Sequence, residues 1–315
     1  MANLITSPRF WKNKALLFKA ETVYGTDPTP SGSTDWIEAR NVNFQPYDAE
    51  TVERNIDMPY MGGSGKVVVE RWAKASFDVY MGASGTAGTA PKWADLMLAC
   101  GTAETVVAAT SVSYELVSTG IKSITAWINV DGVYHKLSGG RGTVSGKIDA
   151  KGVPMLSFEF DFIYSGPVAA AMPSVTRTGW AMDVGANAAN TTALTLGATS
   201  LAVQSMDFAL GNSIARLSLM GPQHEVMITN RAPTLNVTVA APALGDFNPF
   251  ALADGGASQT LEITHGLGAG KQIKLTANAL LNGVEYGEIE GLLGYRLSFL
   301  PTPVLGNDEL AIVCL

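Results

Sequence analysis

The chain has 315 residues, 47% hydrophobic and 16% charged, with 33 glycines and a formal net charge of −7. That length allows two average domains or one large one, and so low a charge content suits a protein whose surface is largely covered by partners. The acidic balance, with neither half basic, excludes a protein that grips phosphates through clustered lysines and arginines, and two cysteines, Cys100 and Cys314, exclude a disulfide framework or a zinc quartet.

The first residues, MANLITSPRFWKNKALLF, lack an apolar run of signal-peptide length, and no segment is long and apolar enough for a transmembrane helix. Synthesis in a cytoplasm, with both thiols reduced, is the expectation. GTDPTPSGSTDW (25–36) is turn residues throughout and predicts a loop. NIDMPYMGGSGK (55–66) joins two strand patterns and carries Met58, Tyr60 and Met61, apolar side chains on a loop that point to contact with a partner.

Strand signals dominate the rest. From Val67 to Met81 the period settles at two: Ala73, Ala75, Phe77, Val79 and Met81 share one face, and Lys74, Ser76, Asp78 and Tyr80 the other. APKWADLMLACG (90–101) predicts the one clear helix, opened by Pro91 in its first turn and closed at Gly101. Trp93, Leu96, Met97 and Cys100 would form its apolar stripe. In NVDGVYHKLSGGRGTVSGKIDAKGVPMLSFEFD (129–161), Asp131-Gly132 and Lys151-Gly152 mark tight turns, and the glycines at 139, 140, 142 and 146 permit bends or bulges. Leu156, Phe158, Phe160 and Phe162 then oppose Ser157, Glu159 and Asp161. Residues 166–192 are poor in charge and pattern and read as a linker. Beyond it, Leu235, Val237 and Val239 alternate with Asn236 and Thr238, Asn282-Gly283 signals a turn, and Tyr295, Leu297 and Phe299 alternate with Arg296 and Ser298.

The halves echo one another. Phe77-Asp78-Val79 aligns with Leu235-Asn236-Val237, Lys92–Gly101 with Phe247–Gly256, ITAWINVDG with SQTLEITHG, Leu137 with Leu275, and Leu156-Ser157-Phe158 with Leu297-Ser298-Phe299. The order strand, helix, strand, hairpin recurs, which predicts an internal duplication: an N-terminal β unit (1–165), a linker (166–192) and a C-terminal β unit (193–315).

No motif supports catalysis. YMGGSGKV has Val67 where a P-loop needs Ser or Thr, and HGLGAGKQ (265–272) leads into a strand pattern, so no helix N-terminus is there to hold phosphates. His135, His224 and His265 lack metal-ligand spacing, and no nucleophile elbow lies between a strand and a helix. No enzyme, metal or cofactor is expected. The polar strand faces remain: Lys74, Ser76, Asp78, Glu159, Asp161, Asn236, Thr238, Arg296 and Ser298 are either plain solvent-facing residues or, if the sheet closes into a barrel, the lining of an aqueous channel.

Three stretches together resemble the major tail tube protein of long-tailed bacteriophages with non-contractile tails: KAETVYGTDPTPSG, SGTAGTAPKWADLMLACGTAETV, and SYELVSTGIKSITAWINVDG continuing to IYSGP. The resemblance covers about residues 15–170. It implies a mainly β fold, a sandwich or barrel with a short flanking helix, and a structural subunit of a virion tail. Such subunits form rings that stack into a hollow tube for double-stranded DNA. With two units per chain, a trimeric ring of pseudo-sixfold symmetry is expected. The resemblance also implies that the loop with Met58, Tyr60 and Met61 reaches a neighbouring subunit or ring. Its implied partners are further copies, a tape measure protein, a tail terminator and a distal tail protein, with no membrane insertion. The alternative is a monomeric or small-oligomer β-sandwich binding module, such as an adhesin-like or decoration domain, marked by an aromatic-rich exposed patch.

Overall fold

The structure, a computed structural model, describes residues 5, 7–180 and 184–315; residues 1–4, 6 and 181–183, which fall in the expected N-terminal unit and linker, lie outside it. The first half carries β1 (Lys14–Ala20), β2 (Arg40–Glu53), β3 (Lys66–Tyr80), helix α1 (Ala94–Leu98), β4 (Thr102–Val107), β5 (Ser111–Leu116), β6 (Ile124–Val130), β7 (Val133–Asp149) and β8 (Met155–Ile163). Among the described residues, the segment between the halves holds only β9 (Val168–Ala169). The second half has β10 (Leu194–Leu196), β11 (Thr199–Leu201), β12 (Val203–Ala209), β13 (Asn212–Ser218), β14 (His224–Arg231) and β15 (Thr234–Ala240). After these come helix α2 (Pro249–Gly255), β16 (Gln259–His265), β17 (Ile273–Ile289), β18 (Leu292–Pro301) and β19 (Leu310–Cys314).

Every strand pairing is antiparallel, and the fold is mainly β, in keeping with a β-sandwich. One layer is a continuous sheet in the order β2-β3-β8-β7-β12-β15-β18-β17, running across both halves. The opposing layer is β1-β6 on the first part of β7, and β10-β16 with β19-β5-β4 on the first part of β17. Strands β7 and β17 are both 17 residues long, and each serves both layers. Such a change of sheet needs a break in register, supplied at Ser138–Arg141 in β7, where Gly139 has φ +64°, and at Leu281–Gly283 in β17.

The two halves repeat the same pairings. β1–β6, β6–β7, β7–β8 and β8–β3 correspond to β10–β16, β16–β17, β17–β18 and β18–β15. The rungs coincide with the sequence echo: Phe77, Asp78 and Val79 face Phe158, Ser157 and Leu156, while Leu235, Asn236 and Val237 face Phe299, Ser298 and Leu297. Helix α2 follows β15 as α1 follows β3; α2 is closed by Gly256 (φ +59°), whereas the cap of α1 is Ala99 in the right-handed region, with Gly101 (φ +86°) two residues further on. Asn248 caps α2 through its side-chain oxygen, which accepts from Ala251 N at 3.0 Å.

The buried side chains of both halves form one cluster. The period-two pattern decides which residues enter it, because alternate side chains of a strand leave on opposite faces. Phe77, Phe158, Phe160 and Phe162 are all buried, with Phe18 5.0 Å from Phe77 across the sandwich. Removing any one of these rings would cost about 3–5 kcal/mol.

Two expectations are corrected. Asn282-Gly283 lies inside β17 at its register break, and the hairpin turns instead at Glu290 (φ +50°) and Gly291 (φ +86°). The dipeptide that makes a tight turn also tolerates an extra residue in a ladder, so it marks positive φ or loose backbone, not which of the two occurs. Helix α1 has five residues: Pro91 precedes it by three instead of sitting in its first turn, and it ends at Leu98 with Ala99 as its cap, short of Gly101. Trp93, Leu96, Met97 and Cys100 are nonetheless all buried, and Trp93 Nε1 donates to Gly82 O at 2.8 Å.

Candidate assembly surface

The eight-strand sheet has an apolar face in the core and a polar face turned away from it. Cross-strand partners share a face, so the register can be followed from strand to strand. Lys74 pairs with Asp161 and that with Arg141; Ser76 with Glu159; Asp78 with Ser157. From β7 the rows continue as Lys147–Asp207–Asn236–Ser298 and Asp149–Ser205–Thr238–Arg296–Glu285. All nine polar residues singled out from the sequence therefore lie on one face of one sheet that spans both halves. Acidic and basic side chains are mixed along it, and Lys147 bonds Asp149 at 2.7 Å, so it presents no run of positive charge.

One end of this face is covered. The β13–β14 hairpin crosses β7 and β8 and closes over Trp72, which shares the row parity of Lys74 yet is 0% exposed. His224 lies against the indole at 4.5 Å. Arg216 bonds Asp161 with two nitrogens, at 3.0 and 3.2 Å, and Asp48 at 2.8 Å. Ser218 donates to Glu70, which holds the Glu70 carboxyl below its ordinary range. Asp161 and Lys74 thus sit at the covered end, whereas Ser76, Asp78, Glu159, Asn236, Thr238, Arg296 and Ser298 lie beyond it.

Between β2 and β3 the chain forms a second hairpin arm in the corresponding place, since β12 pairs with β15 as β2 pairs with β3. This arm is open. Val52, Val67, Val68 and Val69 are exposed on its strands, and Tyr60 (69%) and Met61 (102%) at its tip, while Met58 is half-buried. The bare valines were not singled out from sequence, because their run reads equally well as a buried strand.

The Gly-Gly-Arg-Gly run is a structural joint. A Cβ at Gly140 would meet the Phe162 ring at 2.2 Å, and one at Gly142 would meet Glu159 O at 2.1 Å. Arg141 points to the polar side and donates to Glu225 Oε1 at 2.7 Å and Val226 O at 2.8 Å, tying the β13–β14 hairpin to β7. The bulge itself is held by the buried carboxylate of Glu21, which accepts from Gly139 N (2.7 Å), Thr125 Oγ1 (2.7 Å), Ser123 Oγ (2.6 Å) and Gly25 N (2.7 Å). Tyr24 donates to Gly139 O and accepts from Val226 N, and burial pushes its phenol up to about 12. Part of the stretch KAETVYGTDPTPSG is thereby accounted for.

The histidines have separate surroundings. His135 meets the edge of Phe44, and His265 sits between Thr191 Oγ1 (2.9 Å) and Val184 O (3.1 Å); burial lowers the pKa of both. Cys100 and Cys314 are buried free thiols, and burial pushes Cys314 up to about 12. Among the described residues no group of three or more His, Cys, Asp or Glu side chains is placed to hold a metal ion, and no helix is long and apolar enough to cross a membrane.

The model of the phage tail tube protein family matches residues 11–307, nearly the whole chain. No curated protein matches it significantly. The match extends the resemblance seen in the first half through the second. A β-rich chain with a two-faced sheet, matched over nearly its whole length by this family's model, is a structural component of a virion tail: the chain belongs to the phage tail tube protein family.

Proposed function

We propose that copies of this chain close into rings, which stack into a hollow tube that conducts double-stranded DNA into the host. The observation that carries this reading is the eight-strand sheet: one face apolar and buried, the other polar across both halves, and the outer edges of β2 and of the second part of β17 unpaired among the described residues. Unpaired edges of a long sheet invite addition of another strand, and closing the sheet on itself removes them. The halves (1–165 and 193–315) act as a duplicated unit, so three chains make a pseudo-sixfold ring. Three such sheets supply about 24 strands, more than the 16–18 that leave an aqueous channel in porins. The polar rows then face the lumen. With mixed charge and no basic cluster, that wall lets DNA slide without holding it.

The open β2–β3 arm, with Tyr60, Met61 and the exposed valines, is the contact to a neighbouring subunit or the next ring, since apolar and aromatic residues concentrate at interface centres. Tape measure, terminator and distal tail proteins are the further partners, and assembly takes place in the host cytoplasm. Negative-stain microscopy of the purified full chain tests the reading. Rings or tubes with a central hole are expected; dispersed globules at every concentration would favour the binding-module alternative and sink it.

A further inference from the structure

Within one chain the two halves are joined edge to edge. β7 presents its outer edge to β12, with Asp149 opposite Ser205, Lys147 opposite Asp207 and Ser145 opposite Ala209. The same positions exist a second time, unpaired among the described residues. Following the rungs, Gly146 and Lys147 face Leu156 and Met155, as Val284 and Glu285 face Leu297 and Arg296; Lys147 therefore corresponds to Glu285. Likewise Asp207 faces Asn236 as Arg40 faces Asp78, so Asp207 corresponds to Arg40. Both Arg40 and Glu285 are exposed, and Phe250, Tyr286, Leu292 and Leu293 leave exposed apolar surface around the β17 edge.

We propose that the contact between copies repeats the contact between halves: the outer edge of β17 in one copy pairs antiparallel with the outer edge of β2 in the next, placing Glu285 opposite Arg40. This deepens the ring reading and rests on it. The charges carry the argument further. The internal seam sets Lys147 against Asp207, and the proposed seam sets Glu285 against Arg40, with the signs exchanged between the strands. The two mismatched seams would both fail electrostatically. β7 against a second copy's β2 sets Lys147 against Arg40, and β17 against a second copy's β12 sets Glu285 against Asp207. Like charges directly opposite destabilise a sheet, so the exchange directs each free edge to its correct partner. The occupant is a second copy of this chain, because its β2 edge carries both the strand polarity and the charge that the β17 edge lacks.

The test uses the full chain. Arg40→Glu and Glu285→Arg should each raise the concentration needed for rings or tubes about tenfold or more, and the double variant Arg40→Glu/Glu285→Arg should restore it. Circular dichroism and thermal unfolding of each should match the parent, as both side chains are exposed. Independently, Arg40→Cys/Glu285→Cys should give intermolecular disulfides on oxidation, resolved as multimers on a non-reducing gel, with neither single variant doing so. If the parent forms rings while the cysteine pair stays uncoupled and the charge reversals are tolerated, the seam is wrong and the tube reading survives. If the parent forms no rings under any condition, both fall.

Discussion

The two hairpin arms occupy the same place in the two halves and meet opposite fates. β13–β14 is seated on the first half through Arg216, His224, the buried Val226 and the Arg141–Glu225 pair. The outer part of β2–β3 carries bare valines and, among the described residues, lies open. The chain therefore satisfies one arm internally and leaves the other open, as the proposed head-to-tail assembly would require.

Arg216→Ala should separate the arms most. It leaves Asp161 under the hairpin with only the looser contact to Lys74 at 3.9 Å, and stability should fall by about 3 kcal/mol in urea unfolding, with tryptophan fluorescence reporting exposure of Trp72. Gly146→Val attacks the internal seam itself, since a Cβ added there would meet the Phe208 ring at 2.2 Å. A loss of about 1–3 kcal/mol is expected from overpacking, and an unchanged midpoint would show that the seam has slack.

A subtler comparison concerns the buried histidines. His135 on β7 pairs with Ile128 on β6, and His265 on β16 pairs with Ile273 on β17, so each half has one His–Ile rung with the strands exchanged. Burial lowers both pKa values below the ordinary 6.5, so the unfolded chain takes up protons first as pH falls. The stability that depends on neutral imidazoles is complete above about pH 6.5 and is lost as pH falls through the folded values. His265→Gln should flatten part of the fall in Tm between pH 7 and pH 5, and His135→Gln the rest; an unaltered slope in the double variant would assign the acid sensitivity elsewhere.

The smallest effect on the monomer should come from the open arm. Val67→Asp/Val69→Asp, like Tyr60→Asp/Met61→Asp, should shift monomer stability by under about 0.5 kcal/mol while impairing assembly. Tubes formed normally by both pairs would remove the arm from the interface.

Strand faces were legible from sequence because alternation is local: Phe77, Phe158 and Leu297 needed only their neighbours to be placed inside. The helix stripe was legible for the same reason. The ends of α1 were not, since where a short helix begins depends on what its first turn docks against. Trp72 offered one clue, an indole in a row of polar residues, but not what covered it.

What the sequence alone determined was the β class and the inward side of the strands with clear alternation, because periodicity and turn residues act over a few positions. What only the tertiary structure decided was which polar residues share one face, that Gly140 and Gly142 make room for phenylalanine rings and backbone, that Arg141 and Arg216 seat a hairpin, and which two edges remain free. Those outcomes hang on partners far apart along the chain, such as Arg216 with Asp48 and Tyr24 with Val226. No local pattern encodes such a meeting; it is set when the sheets close around their common core.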